Sequence, residues 1–256
     1  MSDSALKVWR DRDGRLLRLR LSRPKANIVD AEMIAALSKA LAEARDDIHL
    51  KAVLIDHEGP HFSFGASVPE HLPGQCDAML KGLHALVLAM VEYPVPVLVA
   101  VRGQCLGGGL EVAAAGHLMF VAPDAKLGQP EIQLAVFAPA ASCLLPERMP
   151  RVAAEDLLYS GRSIGADDAL RLGLANAVAE DPEAAALAWY DAGIAKHSAS
   201  SLRFAVKAAR LGMVERVRAK IAAVEELYLN GLMNTRDAVE GLEAFIAKRP
   251  ANWEDR

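Results

Sequence analysis

Cysteine is scarce in this 256-residue chain, and the few cysteines present show no pairing. Cys76, Cys105 and Cys143 are odd in number and form no CxxC motif, so the sequence gives no sign of a disulfide framework. Such usage is typical of a reducing cytoplasm. Cys105 lies close to a run of glycines, and we interpret it as a small buried residue rather than a nucleophile.

An excess of positive charge and long apolar runs are also lacking. The net charge of -4 gives no electrostatic reason to expect nucleic acid as a partner. No uncharged apolar run is long enough for a transmembrane helix, so no membrane partner is expected. The opening segment MSDSALKVWRDRDGRL is polar and lacks the apolar stretch of a signal peptide, and we therefore expect a cytoplasmic protein.

The seven histidines do not form a metal-ligating pattern. His57 and His61 are four residues apart, as two ligands on a helix would be. However, Gly59 and Pro60 lie between them and indicate a turn. We therefore expect no metal site.

Hydrophobic residues make up 52% of the chain, enough for a sizeable core, and they occur in alternating strand-like and helix-like segments. Strands are predicted over 16–22, 52–56, 95–101 and 117–122. In the first of these, apolar and basic residues alternate, which predicts a half-exposed strand. Strands that alternate with helices imply an α/β fold of parallel β units joined by right-handed crossovers.

From about residue 183 onward the pattern is helical only. Four successive helices are predicted, over 184–197, 198–212, 214–232 and 237–248. We divide the chain into a catalytic core, 1–195, and a C-terminal helical domain, 196–256. A helical tail that follows an α/β body often packs on a partner subunit, so we expect a homo-oligomer.

The segment Gln104–Gly116, QCLGGGLEVAAAG, is the most informative stretch. Its three consecutive glycines lie where an apolar strand gives way to a helix, and without a Cβ they let a ligand approach the backbone closely. The first N–H groups of a helix lack intrahelical partners and carry partial positive charge, so a developing oxyanion fits there. Glu111 follows on the same turn. An anion site beside a carboxylate indicates acid–base chemistry on a carbonyl compound.

Two further segments could converge on this turn. His61–Ser67 is a turn after a strand, in which the backbone around Phe64 could present an N–H. Leu127–Ile132 places Glu131 just after a proline. If Glu111 and Glu131 are buried together, their pKa values rise and one of them can hold a proton near neutral pH. The residues alone leave a second interpretation equally open, in which Glu111 is a helix N-terminal charge and Glu131 a surface turn residue.

The chain resembles the crotonase (enoyl-CoA hydratase/isomerase) superfamily over nearly its whole length. The matching segments, in chain order, are SRPKANIVD, HFSFGAS, RGQCLGGGLEVAAAG, AKLGQPEIQLAVFAPAAS, YSGRSIGADDALRLGLANAV and EGLEAFIAKRPANW. The resemblance implies an α/β fold, a crotonase-like superhelix of stacked ββα turns with a C-terminal helical oligomerisation domain. It also implies a homotrimer or a homohexamer.

The same resemblance implies roles for individual residues. The N–H groups of Phe64 and Gly108 would form the oxyanion hole for the thioester oxygen, and Glu111 and Glu131 would be the catalytic pair. Many isomerases, thioesterases and dehalogenases of the superfamily keep only one of these glutamates or neither, so the presence of both argues for hydration. As a hypothesis, Glu131 handles the proton and Glu111 activates and orients water. The residues expected to meet the acyl-CoA thioester are Lys25, Ala26, Gly65, Ala66, Ser67, Phe245 and Lys248. No cofactor is implied, because CoA is part of the substrate.

Departures from the family pattern narrow the range of substrates that we expect. Ser67 stands where the first loop usually has an aspartate, and the run APAAS (138–142) replaces a glycine-rich run. Pro139 in this run cannot donate a backbone N–H, so the water or the acyl chain should be held differently than in straight-chain enoyl-CoA hydration. These segments resemble those of family members that hydrate a cyclic dienoyl-CoA thioester.

Two alternatives remain at this stage. One is a general 2-enoyl-CoA hydratase or isomerase of fatty-acid β-oxidation. The other is a non-catalytic scaffold or RNA-binding homologue, against which the charge balance and the two retained glutamates argue.

Overall fold

A computed structural model describes residues 4–256 of the chain. In this described part of the chain, nine strands form two sheets: β1 Leu6–Asp11, β2 Leu16–Leu21, β3 Ala52–His57, β4 Val97–Val101, β5 Gln104–Leu106, β6 Leu118–Val121, β7 Lys126–Gly128, β8 Ser163–Gly165 and β9 Ala177–Val178. The larger sheet has the order β1-β2-β3-β4-β6-β9 and is parallel apart from the β1–β2 pair. The smaller sheet has the order β5-β7-β8.

The α-helices connect these strands and then form the C-terminal region. They are α1 Ala31–Ala44, α2 Cys76–Val91, α3 Gly108–Ala115, α4 Pro139–Arg148, α5 Arg151–Ser160, α6 Ala166–Arg171, α7 Pro182–Gly193, α8 Ala199–Glu226 and α9 Arg236–Ile246. Within residues 4–256, no helix combines the length and the apolar character that crossing a membrane requires.

Both faces of the larger sheet are covered, which explains the apolar runs of its central strands. Successive side chains of a strand point to opposite faces. In β3, Val53 and Ile55 therefore join the main core, which also includes residues of α1 to α4, whereas Ala52 and Leu54 pack with α7 on the other face. Parallel strands buried on both faces are continuously hydrophobic for this reason.

The first predicted strand exists, but the expectation that it is half-exposed is wrong. Arg18 in β2 is only 4% exposed, because α7 covers this face of the sheet. Its guanidinium donates to Asp56 of β3 at 2.7 Å and pairs with Glu183 of α7. The alternating arginines thus belong to a buried ion-pair network rather than to a solvent-facing edge.

The prediction that the C-terminal region is helical is confirmed, but the structure divides it into helices differently. The second and third predicted helices form a single helix, α8, and Gly212 lies within it rather than at a break. Glycine inside a long helix costs about 1 kcal/mol relative to alanine, which the rest of the helix outweighs. Beyond α8 the chain turns back, and α9 packs on the segments after β3 and β7 that bear the candidate site.

Candidate active site

The glycine turn joins β5 to α3 and brings a helix N-terminus to the surface of a cavity. Gly107 has φ of +50°, and its N–H donates to the Gly128 carbonyl of β7 at 2.9 Å. The backbone then enters α3, whose first intrahelical bond runs from Glu111 N–H to Gly107 C=O. The N–H of Gly108 lies in the first turn and therefore has no intrahelical acceptor. No other described residue accepts from it, so within residues 4–256 it is a free donor at the positive end of the helix dipole.

A second backbone donor lies beside Gly108, and it is not the predicted one. The Phe64 N–H donates to the Ala26 carbonyl at 2.9 Å, which corrects the expectation that it faces the thioester. Within residues 4–256, the Ala66 N–H has no hydrogen-bond partner. A Cβ placed on Gly108 would lie only 3.0 Å from the Ala66 nitrogen, so the two loops are in contact. The pair of free donors is therefore Ala66 and Gly108.

Glu111 is a buried carboxylate held by the N-terminus of α4. It is 3% exposed, and its Oε1 accepts a hydrogen bond from the Ala141 N–H at 2.8 Å. Burial raises its pKa, and the backbone bond from Ala141 partly offsets this by stabilising the ionised form. Glu111 does lie in the first turn of α3, but it is buried and faces the same cavity as Glu131, so it is more than a helix N-terminal charge.

Glu131 faces the same cavity from a short 3₁₀ helix, Pro130–Leu134. Its carboxylate lies against Gly107, where an added Cβ would be 2.4 Å from Oε1. Burial, with the charge of Glu111 as a smaller cause, raises the pKa of Glu131 to about 8. The side-chain amide of the buried Gln129 lies beside this carboxylate, with an amide nitrogen 3.0 Å from Oε2 in its hydrogen-bonded orientation. At neutral pH this site therefore holds a protonated carboxyl group next to a second carboxyl group.

These elements enclose a cavity of about 620 Å³, a size typical of small-molecule sites. Of the predicted site residues, the structure brings eight to its lining: Phe64, Gly65, Ala66, Ser67, Gly108, Glu111, Glu131 and Phe245. Phe245 reaches the cavity from α9 of the same chain. The predicted CoA contacts Lys25, Ala26 and Lys248 do not line it. Lys25 is exposed on the loop that Ala26 ties to Phe64.

The two other kinds of site that the sequence raises, a metal site and a nucleophilic cysteine, are not supported by the arrangement of the described residues. In the described part of the chain, residues 4–256, no three His, Cys, Asp or Glu side chains are placed to hold a metal ion. Cys105 is fully buried, and burial raises the pKa of its thiol, so it is not a reactive thiolate. The chemistry of the cavity thus rests on two carboxyl groups and two backbone donors.

Comparison with known proteins agrees with this geometry. Residues 11–256 match the model of the family described as enoyl-CoA hydratase/isomerase. The chain is 66% identical over 255 residues to the cyclohexa-1,5-dienecarbonyl-CoA hydratase of Thauera aromatica, covering all of this chain and 99% of the relative. It is 31% identical over 250 residues to a carnitinyl-CoA dehydratase of Salmonella arizonae, covering 94% and 96% of the two chains.

The chain belongs to the enoyl-CoA hydratase/isomerase family. Solved structures agree with this: a crystal structure of an enoyl-CoA hydratase/isomerase from Pseudoalteromonas atlantica superposes with a TM-score of 0.84 at 26% identity, covering 97% and 99% of the chains. An enoyl-CoA hydratase from Mycobacterium avium subsp. paratuberculosis shares the fold, with a TM-score of 0.85 at 22% identity over 98% and 99%. The predicted family and the crotonase-like α/β fold are confirmed.

Sequence reasoning missed several residues of this family member's site. Ala66 was expected only as a CoA contact, because the direction of an N–H in a loop depends on the neighbouring chain segments. Gln129 was also missed: it lies two residues before Glu131, where a strand has ended and a 3₁₀ helix begins, so no periodic pattern predicts that the two side chains meet. His71 lines the cavity, with Nδ1 2.8 Å from the Ser67 carbonyl, and burial lowers its pKa. It therefore lines the cavity as a neutral imidazole.

Proposed function

We propose that this protein adds water to cyclohexa-1,5-diene-1-carbonyl-CoA and forms 6-hydroxycyclohex-1-ene-1-carbonyl-CoA, a hydro-lyase step in anaerobic benzoyl-CoA degradation. The observation that carries the proposal is the pair Glu111 and Glu131 facing one cavity beside two free backbone donors. The whole-chain identity to a relative named for this activity supports the choice of substrate.

The proposed reaction begins with addition of water to C2 of the ring, the carbon β to the thioester carbonyl. The electron pair of the C1=C2 bond moves toward the carbonyl oxygen, which becomes a dienolate oxyanion. The N–H groups of Ala66 and Gly108 donate to this oxygen as its charge develops. Backbone donors that are already oriented stabilise an oxyanion without reorganisation, and each is worth about 10²–10³ in rate.

Protonation then completes the reaction. Glu111 takes the proton of the attacking water, and Glu131 supplies a proton to C5, the far end of the dienolate. The remaining ring double bond then joins C6 and C1, and it becomes C1=C2 of the product when the ring is renumbered. The different environments of Glu111 and Glu131 support this division, because Glu111 is hydrogen-bonded as a carboxylate whereas Glu131 holds a proton near neutral pH.

The remaining contacts and the assembly are part of the same proposal. Gly65 and Ser67 would meet the pantetheine arm, while Lys25 and Lys248, both exposed, would meet the charged end of CoA. The protein would act as a homotrimer or homohexamer in the cytoplasm, without a cofactor or a metal.

The decisive experiment is turnover of cyclohexa-1,5-diene-1-carbonyl-CoA against crotonyl-CoA by the purified protein, with products identified by mass and NMR. We expect fast hydration of the ring substrate and little of crotonyl-CoA. Deuterium from D₂O should appear at the ring carbon that was C5. A preference for crotonyl-CoA would instead indicate a general 2-enoyl-CoA hydratase, and turnover of neither would contradict the enzymatic function.

A further inference from the structure

The cavity at the candidate active site has an open mouth and an enclosed floor. Two phenylalanines of its lining mark the mouth, because Phe64 is 44% exposed and Phe245 is 55% exposed. Four apolar side chains of the lining are at most 2% exposed, and we call them the floor: Leu80, Leu83, Val136 and Leu242. A ligand that enters past the two phenylalanines therefore reaches the floor with its leading end. This end must be apolar, because the side chains of the floor are hydrocarbon.

Phe137 connects the floor to the two carboxyl groups. Its side chain lines the cavity and packs against a cluster that contains three of the four floor residues. In the chain it lies between the 3₁₀ helix that carries Glu131 and α4, where the Ala141 N–H donates to Glu111. The N–H of the neighbouring Val136 donates to the Glu131 carbonyl at 3.3 Å. Phe137 is therefore held next to the reaction centre, on the side of the floor.

The ring of Phe137 has a fixed backing. It packs edge-on against the ring of Tyr228, with 5.2 Å between the ring centroids. Tyr228 is 0% exposed and belongs to the same packed cluster as the three floor residues. Protein interiors are close-packed, and an extra methylene forced into them displaces side chains from their preferred rotamers. A ligand atom that pushes on Phe137 must therefore also displace Tyr228 and the cluster around it.

We propose that Phe137, backed by Tyr228, is a specificity-determining residue: it forms the end wall of the acyl pocket and admits acyl groups no longer than a six-membered ring. The inference rests on the proposed function for its ligand, an acyl-CoA thioester whose reacting carbons lie at Glu111 and Glu131. A ring is short and wide, so it fills the space between the carboxyl groups and the wall. A straight chain of eight carbons extends past the far edge of such a ring and meets Phe137.

The test is binding of unreactive, saturated thioesters to the wild type and to Phe137→Ala, measured by isothermal titration calorimetry with butyryl-CoA, octanoyl-CoA and cyclohexanecarbonyl-CoA. The wild type should bind octanoyl-CoA at least about 10-fold more weakly than butyryl-CoA, because the longer chain collides with the wall. Phe137→Ala should bind octanoyl-CoA at least as tightly as butyryl-CoA, because the chain then enters the vacated space. The same variant should bind cyclohexanecarbonyl-CoA about 10-fold more weakly, because the ring loses its contact with the wall.

Phe245→Ala is the matched control, because it makes the same truncation at the mouth of the cavity. It should weaken the binding of all three thioesters by a similar factor and leave the ratio of octanoyl-CoA to butyryl-CoA affinity as in the wild type. Phe137→Leu opens less space and disturbs the packing less, so it should shift this ratio in the same direction by a smaller factor. It decides the question if Phe137→Ala fails to fold by circular dichroism. A wild-type ratio within twofold of one, or equal shifts in the Phe137 and Phe245 variants, would overturn the proposal.

The outcome is separable from that of the proposed substrate, because saturated thioesters bind without reacting. Wild-type turnover decides whether the ring thioester or crotonyl-CoA is hydrated, and the affinity ratios decide whether Phe137 limits the acyl length. A protein that prefers crotonyl-CoA but accepts octanoyl-CoA only as Phe137→Ala would refute the proposed substrate and support the wall. Hydration of the ring thioester by a wild type without a length limit would support the proposed function and refute the wall. A protein that binds none of the thioesters would contradict both.

Discussion

At the scale of single residues, Glu111 and Glu131 carry the same side chain in different surroundings, and these surroundings support the different tasks proposed for them. Glu111 accepts a backbone N–H bond at 2.8 Å, which favours its ionised form. Among residues 4–256, the backbone donor to the Glu131 carboxyl group comes from Glu131 itself, and the charge of Glu111 lies nearby. Two carboxyl groups that interact in this way titrate as a coupled pair, so at neutral pH one proton is shared unequally between them.

Removing either carboxyl group tests the pair. Glu111→Gln and Glu131→Gln should each lower kcat by about 10²–10⁴, because glutamine can neither accept nor donate the proton. The measurement is steady-state hydration of the ring thioester. Glu243→Gln, an exposed residue of α9, serves as the control and should keep wild-type activity. Near-wild-type turnover in either site variant would refute its role as acid or base.

The pH dependence of hydration follows from the pKa of Glu131. In the proposed mechanism this group donates a proton in the hydration direction, so kcat/KM should fall as pH rises through about 8, where Glu131 loses that proton. The residual activity of Glu131→Gln should lack this limb. A wild-type profile that stays flat to pH 9.5 would contradict the assignment.

The raised pKa of Glu131 also predicts that the stability of the protein depends on pH. The pKa of Glu131 is raised from 4.5 to about 8 on folding, so its contribution is fully present below about 4.5 and is lost as pH rises through about 8. The free energy of unfolding should therefore decrease over this window more in wild type than in Glu131→Gln. Urea titrations of both proteins at pH 5 and pH 8.5 measure the difference, and identical pH slopes would contradict the burial of this carboxyl group.

Gly107 is the residue that lets Glu131 approach the turn. An alanine there would place its Cβ 2.4 Å from Oε1 of Glu131 and would occupy φ of +50°. Gly107→Ala should therefore displace the carboxylate and lower kcat by about 10²-fold or more, as small misplacements of catalytic groups do. Gly173→Ala is the matched control: it has φ of +82° and its Cβ would meet only a carbonyl oxygen, 3.5 Å away. It should lose stability but not activity, whereas equal kcat losses in the two variants would point to backbone strain alone.

At the scale of elements, α3 is fixed at both ends. Its N-terminus is the proposed anion site, and its C-terminus is held by two guanidiniums that donate to the Gly116 carbonyl, Arg148 at 2.7 Å and Arg210 at 2.8 Å. Arg210 also donates to the Val91 carbonyl at the end of α2. Cations at a helix C-terminus interact favourably with the helix dipole. The position of Gly108 and Glu111 therefore depends on residues of α4 and α8 on the far side of the core.

Arg210→Met tests this support, because it keeps the aliphatic length and removes both hydrogen bonds. We expect a loss of about 1–3 kcal/mol in the free energy of unfolding, since the Val91 carbonyl becomes unsatisfied in the interior. Arg218→Met, in the exposed pair with Glu92, should cost less. Chemical denaturation of both variants makes the comparison, and a gain in stability for Arg210→Met would show that the cost of burying the charge exceeds the value of its bonds.

Much of the local architecture could be predicted from the sequence, because its signals are local. The glycine turn and the buried strand before it depend on neighbouring residues, and so do the helical repeats. The burial of Arg18 could not be predicted, since it depends on Glu183 in a helix 165 residues away. The hydrogen bond from the Phe64 N–H to the Ala26 carbonyl could not be predicted either, because it joins two segments that are distant in the sequence.

At the scale of the whole molecule, α8 carries a large apolar surface that the chain itself leaves open. Phe204 is 75% exposed and Leu211 54% exposed. They are seven residues apart and so lie on one face of the helix. Together they border a groove of about 560 Å³. Contiguous exposed apolar surface of this kind marks a protein contact, and the expected homo-oligomer would bury it against a second copy of the chain.

A double variant, Phe204→Glu with Leu211→Glu, tests whether this face forms the contact. Two carboxylates on an apolar interface would remain desolvated and unpaired, so the assembly should dissociate toward the 27.4 kDa protomer. Light scattering coupled to size exclusion gives the mass, and far-UV circular dichroism checks that the helices persist. Ile48→Glu, at a position 71% exposed in a loop, should keep the wild-type mass. A double variant that retains the mass of an oligomeric wild type would place the contact on another face, and a monomeric wild type would contradict the expected assembly.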